Sequence, residues 1–121
     1  MDIFCKIVNR EIPANICYED EHVIAIMDAN PFSPGHTLII PKKHYTTILD
    51  MDNEIMGHIH ETAKMLIKKM EERYPNLNGI RIAVNYGEPQ KVKHYHLHLI
   101  PEYTGDKPNM TQEEFCEVLK K

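Results

Sequence analysis

The 121-residue sequence lacks any long apolar run, and nowhere approaches the ~18 consecutive apolar residues of a membrane-spanning helix. Its first segment carries Asp2, Lys6, Arg10 and Glu11, so we expect no secretory signal there. Internal repeats and low-complexity tracts are also absent. The sequence therefore predicts one globular domain with no membrane partner.

Cysteine is scarce, with 3 residues at Cys5, Cys17 and Cys116 and no C-x-x-C pair. An odd and scattered set argues against a disulfide framework and favours reduced thiols. We therefore expect a cytoplasmic protein.

The sequence also lacks an excess of positive charge. Its 14 Lys and Arg residues face 18 Asp and Glu residues, and the net charge is −4. A protein that binds nucleic acid through the phosphate backbone needs a basic surface, so we exclude nucleic acid as the main partner. The hydrophobic content of 42% is ordinary for a globular chain that buries one core.

Hydrophobic periodicity predicts short strands and few helices. The predicted strands cover residues 16–18, 22–28, 36–41, 79–86 and 90–101. Because turns connect most of them, antiparallel pairing is favoured. The sequence predicts an α+β domain with helices packed against one antiparallel sheet.

The longest predicted helix follows a cap at Asp50 or Asp52 and ends before Pro75 and Gly79. Its apolar stripe contains Ile55, Ile59, Ala63, Leu66, Met70 and Tyr74. A short helix is predicted at residues 3–9. A second one begins at the capping box of residues 111–114 and is too short to be stable alone, so we expect it to dock.

The stretch from Gln90 to Pro101 contains His94, His96 and His98 in strict alternation with other residues. In a strand these imidazoles share one face, with neighbours about 6–7 Å apart at a rise of roughly 3.3 Å per residue. The opposite face presents apolar bodies that are expected to pack on the core. These are Tyr95, Leu97 and Leu99.

Three interpretations of this row differ in chemistry. It could be a strand whose polar face happens to be rich in histidine. Two histidines at i and i+2 could instead bind Zn²⁺ with ligands from elsewhere, as in a small metalloprotein. Neutral imidazole is also a good nucleophile near pH 7, and protonated imidazole binds phosphate oxygens. The row by itself does not separate metal binding from phosphoryl chemistry.

The run His94-Tyr95-His96-Leu97-His98-Leu99-Ile100 resembles the motif of the histidine triad (HIT) family. Residues 1–12, 18–23 and 34–44 are similar to its Hint-like branch, so the resemblance covers residues 2–101. It implies one HIT domain over residues 1–121, with 102–121 a variable tail that carries a short helix. The implied fold is a five-stranded antiparallel sheet with one long central helix, short terminal helices and sheets joined in a homodimer.

The resemblance implies hydrolysis or transfer at the α-phosphate of purine nucleotides (AMP, GMP or their conjugates) through a nucleotidyl-histidine intermediate, with no required cofactor. His96 matches the nucleophile. His94 matches the buried member whose backbone carbonyl fixes the tautomer of His96. His98 and His36 match the contacts to the α-phosphate and the leaving group.

The substrate-binding residues follow from the same resemblance. Asp28 matches the acid that holds the ribose hydroxyls, and Asn85 an asparagine near the phosphate. Either could instead be a plain turn residue. The implied base pocket contains Ile3, Phe4, Ile7, Ile26 and Leu38. Gln90 and Lys91 complete the set, although Lys91 stands where several members have Ser or Thr, which leaves the leaving-group preference open.

Some members hold structural zinc with a C-x-x-C pair, the histidine of P-K-x-H and the first triad histidine. Here Cys5, His44 and His94 match, but Asp2 takes the place of the first cysteine. A carboxylate in place of a thiolate weakens such a site, so zinc stays an open question.

Two alternatives to the leading function use the same residues. The chain could hydrolyse dinucleoside polyphosphates, because Val92-Lys93-His94 resembles the branch with that activity. It could also be a nucleotide-binding regulatory module with little turnover.

Overall fold

The computed structural model describes residues 1–121 and is built on a five-stranded antiparallel sheet with strand order β1-β2-β3-β5-β4. The strands are β1 Ile16–Glu19, β2 Val23–Met27, β3 Thr37–Pro41, β4 Leu77–Ala83 and β5 Leu97–Tyr103. The helices are α1 Ile3–Val8, α2 Asn53–Arg73 and α3 Gln112–Lys120, with a short 3₁₀ turn at Ile48–Asp50. No helix is both long enough and apolar enough to cross a membrane. The predicted α+β class and sheet are confirmed.

The two faces of the sheet carry different partners. One face holds the larger core, in which α3 packs on β1 and β2 and α2 packs on β3 and β4. The other face holds a smaller cluster under α1, made of Phe4, Ile7, Ile24, Ile26, Leu38 and Ile40. His98 lies at the middle of the sheet, paired with Leu38 of β3 and Ala83 of β4. It therefore lies beside the smaller cluster.

Helix α2 supplies much of the larger core, as its apolar stripe predicts. The carboxylate of Asp52 accepts the backbone N–H of Glu54 and caps the helix. Ile59, Ala63, Leu66 and Met70 are buried against the sheet. Full burial of a side chain the size of Ile59, Leu66 or Met70 contributes about 1.5–3 kcal/mol, so this face anchors the helix.

Strands β4 and β5 differ most from the prediction, whereas the bounds of β1, β2 and β3 agree to within one residue. Strand β4 runs from Leu77 to Ala83 rather than over 79–86, and β5 begins only at Leu97. Residues 91–96 lie outside the ladder because their backbone groups have other partners. The N–H of Tyr95 donates to the carbonyl of Tyr45 at 2.7 Å. The expected strand over 90–101 is therefore wrong in its first half, whereas the predicted burial of Tyr95, Leu97 and Leu99 is confirmed.

Strand β5 continues through Pro101 to Tyr103, which is farther than predicted. Proline lacks the N–H that a central strand donates to its neighbours. Here the pairing of β3 with β5 stops at Leu99, so Pro101 pairs with β4 alone. Its carbonyl accepts the hydroxyl of Ser33 at 2.5 Å. The proline therefore marks where β5 changes from a central strand to an edge.

The tail helix α3 docks on its own chain. Thr111 and Glu114 form the predicted capping box, and Phe115, Cys116 and Leu119 are buried. Val118, expected on the same apolar side, is only half-buried. The ring of Phe115 lies directly beneath Gly35. The backbone of Gly35 has φ +90°, and a Cβ there would lie 2.3 Å from Phe115 Cζ.

Gly35→Ala should lower the free energy of unfolding by about 2 kcal/mol or more, because both the positive φ and the Phe115 ring exclude a methyl group. Gly57→Ala is the matched control. Gly57 lies in α2 with nothing within 4 Å of an added Cβ, so that change should stabilise the protein by about 0.5–1 kcal/mol. Urea denaturation measures both, and equal effects would contradict the role assigned to Gly35.

Candidate active site

Five of the predicted polar residues meet at the carboxyl end of β2 and the start of β5. His36 Nε2 lies 3.0 Å from His98 Nδ1, and the rings of His96 and His98 are 4.9 Å apart. Asp28 Oδ2 lies 3.5 Å from His36 Nε2. Asn85 Nδ2 lies 3.5 Å from His98 Nε2. The fold therefore brings together groups separated by up to 70 positions (98 − 28) in the sequence.

The tautomer of His96 follows from its hydrogen bond to its own backbone. His96 Nδ1 lies 2.8 Å from the carbonyl oxygen of His94. A carbonyl only accepts, so Nδ1 carries the proton and Nε2 keeps its lone pair. Burial lowers the pKa of His96 below its usual range, which keeps the ring neutral at pH 7. His96 Nε2 is thus a nucleophilic nitrogen.

His94 is fully buried and serves as a support. Its Nε2 lies 2.9 Å from the carbonyl of Pro41, so that nitrogen carries the proton. Its Nδ1 lies 3.2 Å from Asp2 Oδ2 and 3.5 Å from Cys5 Sγ. Phe4 packs edge-on against the rings of both His94 and His96, with centroids 5.9 and 4.9 Å away. The ring of His94 is therefore held from every side while its carbonyl orients His96.

A backbone N–H sets the proton positions of the other two histidines. The N–H of Phe32 donates to His36 Nδ1 at 3.1 Å, so the neutral ring of His36 carries its proton on Nε2. That proton is donated to His98 Nδ1, which leaves His98 with a proton on Nε2. An N–H at His98 Nε2 finds an acceptor in Asn85 only when the amide is turned so that its oxygen, and not Nδ2, faces the ring.

Burial lowers the pKa of both His36 and His98. For His98, the neighbouring imidazoles of His96 and His36 add to burial, Asp28 opposes them, and the pKa falls to about 4. The carboxylate of Asp28 also opposes the effect of burial on His36. The site at pH 7 is a cluster of neutral imidazoles. Because an anion close by favours the protonated form of an imidazole, the cluster is suited to take up a proton together with a phosphate.

Asp28 makes the loop-capping contact and also faces the histidine cluster. Its Oδ1 accepts the N–H of Asn30 at 2.9 Å, which is the loop-capping contact. Its Oδ2 faces His36, and the side chain keeps 22% of its exposure. One oxygen therefore shapes the turn while the other stays open to solvent or a ligand.

Four of the five residues expected in the base pocket lie together. Phe4, Ile7, Ile26 and Leu38 are members of the cluster under α1, next to His96. Ile3 is 49% exposed and lies outside that cluster. The structure thus provides an apolar wall at one side of the histidines.

Gln90 and Lys91 do not meet the histidines. Gln90 is buried, and its Nε2 donates to the carbonyls of Thr46 and Val92 at 2.7 and 3.1 Å. Its Oε1 is buried without a partner. Lys91 is exposed. Gln90 therefore connects the loop after β3 to the segment just before the histidine triad.

The sequence patterns do not assign Phe32 to the site, yet it contacts His36. Its ring stacks on His36 with centroids 5.6 Å apart and an angle of 21°, yet 80% of the residue is exposed. Its backbone N–H also sets the tautomer of His36. The only signal in the sequence was an aromatic residue between two prolines in a loop that is otherwise poor in apolar groups.

A second cluster lies on the far side of His94. The donor atoms of Asp2, Cys5, His44 and His94 lie within 4.8 Å of one another. Cys5 Sγ is 3.5 Å from Asp2 Oδ2 and from the Nδ1 atoms of His44 and His94. Those two Nδ1 atoms are 2.9 and 3.2 Å from Asp2 Oδ2.

The three 3.5 Å distances from Cys5 Sγ fit a tetrahedral ion, and the 2.9 and 3.2 Å distances from Asp2 Oδ2 fall slightly short of that spacing. Ligand bonds of about 2.0–2.3 Å in a tetrahedron place the donor atoms roughly 3.3–3.7 Å apart. The N–H at His94 Nε2 donates to the carbonyl of Pro41, which leaves Nδ1 for the ion. Such a hydrogen bond is the usual support for a metal-bound imidazole. The four residues are therefore compatible with zinc, including Asp2 at the position of the expected cysteine.

Comparison with known proteins identifies the family. The model of the HIT domain matches residues 9–105. An uncharacterized HIT-like protein of Methanocaldococcus jannaschii is 46% identical over 111 residues, which cover 88% of this chain and 82% of that protein. The chain belongs to the HIT family.

Solved structures share the whole fold. A zinc-bound histidine triad protein from Mycobacterium smegmatis has a TM-score of 0.88 and 34% identity, covering 98% of this chain and 89% of its own. A hypothetical histidine triad nucleotide-binding protein from Sulfolobus tokodaii has a TM-score of 0.85 and 34% identity, with coverage of 97% and 85%. The HIT-like fold predicted from the triad is confirmed.

Titration of His98 tests the electrostatics of the site. Its pKa is about 4 in the folded protein, against about 6.5 in an unfolded chain. The unfolded state therefore binds more protons between these values, so His98 should lower stability progressively as the pH falls from about 6.5 to about 4. Histidine-selective NMR should show a midpoint near 4 for His98. A midpoint near 6.5 would contradict the effect that burial and the neighbouring imidazoles are expected to have on His98.

Proposed function

We propose that this chain, as one HIT domain over residues 1–121, is a nucleotidyl hydrolase or transferase. It acts at the α-phosphate of purine nucleotides, such as nucleoside phosphoramidates and related AMP conjugates. The observation that carries this proposal is the lone pair of His96 Nε2, held in place by the hydrogen bond from Nδ1 to the His94 carbonyl. That nitrogen lies beside an imidazole pair suited to a phosphate.

In the proposed reaction, His96 Nε2 attacks the α-phosphorus. A P–N bond forms and the bond to the leaving group breaks, so the nucleotide is carried on the histidine. The anionic phosphate raises the proton affinity of the His36–His98 pair, which delivers a proton to the departing group. Water then attacks phosphorus and gives a proton to the same histidine pair, the P–N bond breaks, and His96 returns to its starting tautomer. A ring N–H that faces the phosphate also stabilises the negative charge that develops on the phosphate oxygens in the transition state.

The remaining residues support a nucleoside as the carried group. The apolar wall of Phe4, Ile7, Ile26 and Leu38 suits a flat heterocycle, and Asp28 Oδ2 is open to accept ribose hydroxyls. The relative from Sulfolobus tokodaii is described as nucleotide-binding, which supports the same assignment.

His96→Ala should abolish turnover while nucleotide binding survives, because the variant lacks the nucleophile and keeps the pocket. In the wild type, rapid quenching should trap an acid-labile nucleotide adduct on His96. His60→Ala, on the exposed side of α2, is the matched control and should turn over normally. Turnover by His96→Ala at the wild-type rate would refute the mechanism.

Substrate comparison separates the alternatives. Adenosine phosphoramidate is the substrate expected to be hydrolysed fastest. Faster hydrolysis of diadenosine tri- or tetraphosphate would identify a dinucleoside polyphosphate hydrolase on the same residues. Tight binding of nucleotide without release of AMP would identify a regulatory module.

We further propose that Asp2, Cys5, His44 and His94 hold a structural zinc ion. The donor geometry supports it, as does the zinc-bound relative from Mycobacterium smegmatis. When bound, the ion would tie α1 to the residue that orients His96. It supplies cross-linking and has no part in the proton or phosphoryl steps.

Elemental analysis after dialysis should find about one zinc per chain, and Cys5→Ser or His44→Ala should lose it. Asp2→Cys restores a second thiolate and should retain zinc against a stronger chelator than the wild type does. His60→Ala is the control for nonspecific binding. A metal-free wild-type protein whose melting temperature does not change with added zinc would refute the site.

We propose a homodimer formed through β4. This strand is an edge of the sheet, and nearby Ile82 and Tyr86 are each 55% exposed. An uncovered apolar edge is an association site, and antiparallel pairing with its own copy is symmetric.

Light scattering at micromolar concentration should report a dimer. Ile82→Lys should produce a monomer, because the new charge would be buried in the contact. Leu49→Lys is the control, since Leu49 is 77% exposed and distant in sequence from β4. A wild-type monomer would refute the proposal.

A further inference from the structure

One side chain outside the residues matched by the family model contacts both ends of the loop that carries Asp28 and His36. Gln112 is the first residue of α3, whereas the family match ends at residue 105. Its Nε2 donates to the carbonyl of Asp28 at 3.1 Å and to the carbonyl of His36 at 2.9 Å. Its Oε1 accepts the N–H of Gly35 at 2.8 Å.

These three hydrogen bonds fix the orientation of the Gln112 side-chain amide. Two carbonyl partners require the NH₂ group, and a backbone N–H requires the oxygen, so the amide cannot be reversed. The carbonyl of His36 also accepts the N–H of Asp28 at 2.9 Å. Gln112 therefore closes the two ends of the loop with one planar group, where β2 leaves the sheet and β3 enters it.

The rest of the loop has few other supports. Residues 29–32 are exposed, so packing does not set their shape. Bonds within the loop run from the N–H groups of Asn30, Phe32 and His36 to Asp28 Oδ1, His36 Nδ1 and the Ser33 carbonyl. Its contacts with the rest of the chain come from the carboxyl-terminal part: the Tyr103 hydroxyl donates to the Pro34 carbonyl at 2.6 Å, and the Phe115 ring lies under Gly35. The spacing between Asp28 and His36 thus depends on their own backbone hydrogen bond and on the contacts from α3 and the end of β5.

That spacing matters for chemistry. Asp28 Oδ2 and His36 Nε2 are 3.5 Å apart, and each reaches the site from the backbone that Gln112 holds. Misplacing a reacting or positioning group by about 1 Å can cost roughly 10²-fold in rate. All three hydrogen bonds of the Gln112 side chain go to backbone groups and none to a histidine ring, so it would act through the backbone.

We propose that Gln112 is a positioning residue, through which the tail helix α3 sets the distance between the ribose-binding carboxylate of Asp28 and the phosphate-binding imidazole of His36. This inference rests on the proposed function for what the two groups bind. It assigns to the tail a role in selecting ribonucleotides over 2′,3′-dideoxynucleotides, beyond the stability that any docked helix provides.

The experiment compares Gln112→Ala and Gln112→Glu with the wild type. The second variant keeps the size of the side chain but puts a carboxylate against two carbonyl oxygens. Affinity is measured for AMP and for 2′,3′-dideoxy-AMP, together with kcat and KM for adenosine phosphoramidate. Amide hydrogen exchange at Gly35 is followed by NMR, because Gly35 donates to Gln112 directly.

Three further variants provide the reference points. Asp28→Asn gives the preference for AMP over the dideoxy analogue that remains when the carboxylate is lost completely. Glu113→Gln changes the adjacent exposed residue of α3. Ile59→Val lowers stability from the buried side of α2, which makes no hydrogen bond to the loop.

Both Gln112 variants should speed exchange at Gly35 and reduce the preference for AMP over the dideoxy analogue by about 5- to 10-fold, the equivalent of roughly one neutral hydrogen bond or slightly more. The value of kcat/KM should fall about 10- to 100-fold. Glu113→Gln and Ile59→Val should keep the wild-type preference. A purely structural role would lower the melting temperature of the Gln112 variants and leave the preference intact, which would overturn the inference.

Failure of the proposed function has a different signature. If the wild type binds neither nucleotide, the proposed function is wrong, and exchange at Gly35 still tests the hydrogen bonds of Gln112. Unchanged exchange at Gly35 in both variants would overturn the inference whatever the nucleotide data show.

Discussion

The hydrogen bond from His96 Nδ1 to the carbonyl of His94 is the constraint on which the site depends. A carbonyl within a regular ladder is committed to the neighbouring strand, so this contact requires the chain to leave the sheet before His96. The structure does so: β5 begins at Leu97, one residue after His96. The break in the strand therefore allows the hydrogen bond that places the proton of His96 on Nδ1 and leaves a lone pair on Nε2. The same break releases the His94 ring, which is buried between the carbonyl of Pro41 and the donor atoms of Asp2 and Cys5.

Around this contact, each histidine has a different environment although all three belong to one short run. His94 is enclosed and faces the cluster under α1, His96 lies at the edge of the apolar wall, and His98 sits at mid-sheet beside His36. The protons are assigned by groups that can only accept or only donate: the carbonyls of Pro41 and His94, and the N–H of Phe32. Backbone groups, more than side chains, thus specify the protonation pattern of the site.

The polarity pattern was sufficient for much of the architecture. The stripe of α2, the capping box at Thr111 and the buried positions of Tyr95, Leu97 and Leu99 all follow from local rules about period and caps. Where the prediction failed, long-range contacts prevailed over local pattern. The alternation of histidines indicates a strand from 90 onward, but the bond from Tyr95 to Tyr45 removes that segment from the ladder. No property of Tyr95 itself encodes that partner.

The sequence by itself determined the α+β class, the family and the residue types available for phosphoryl chemistry, because periodicity and the histidine motif are local properties of the chain. Only the tertiary structure decided which nitrogen of each histidine carries a proton, since that depends on groups such as Phe32 and Pro41. It also decided that Asp2 joins Cys5 and His44 at metal-ligand spacing. The contact of Gln112 with Asp28 and His36 spans 84 and 76 positions. Such pairs arise from the packing of α3 on the sheet, which no local pattern specifies.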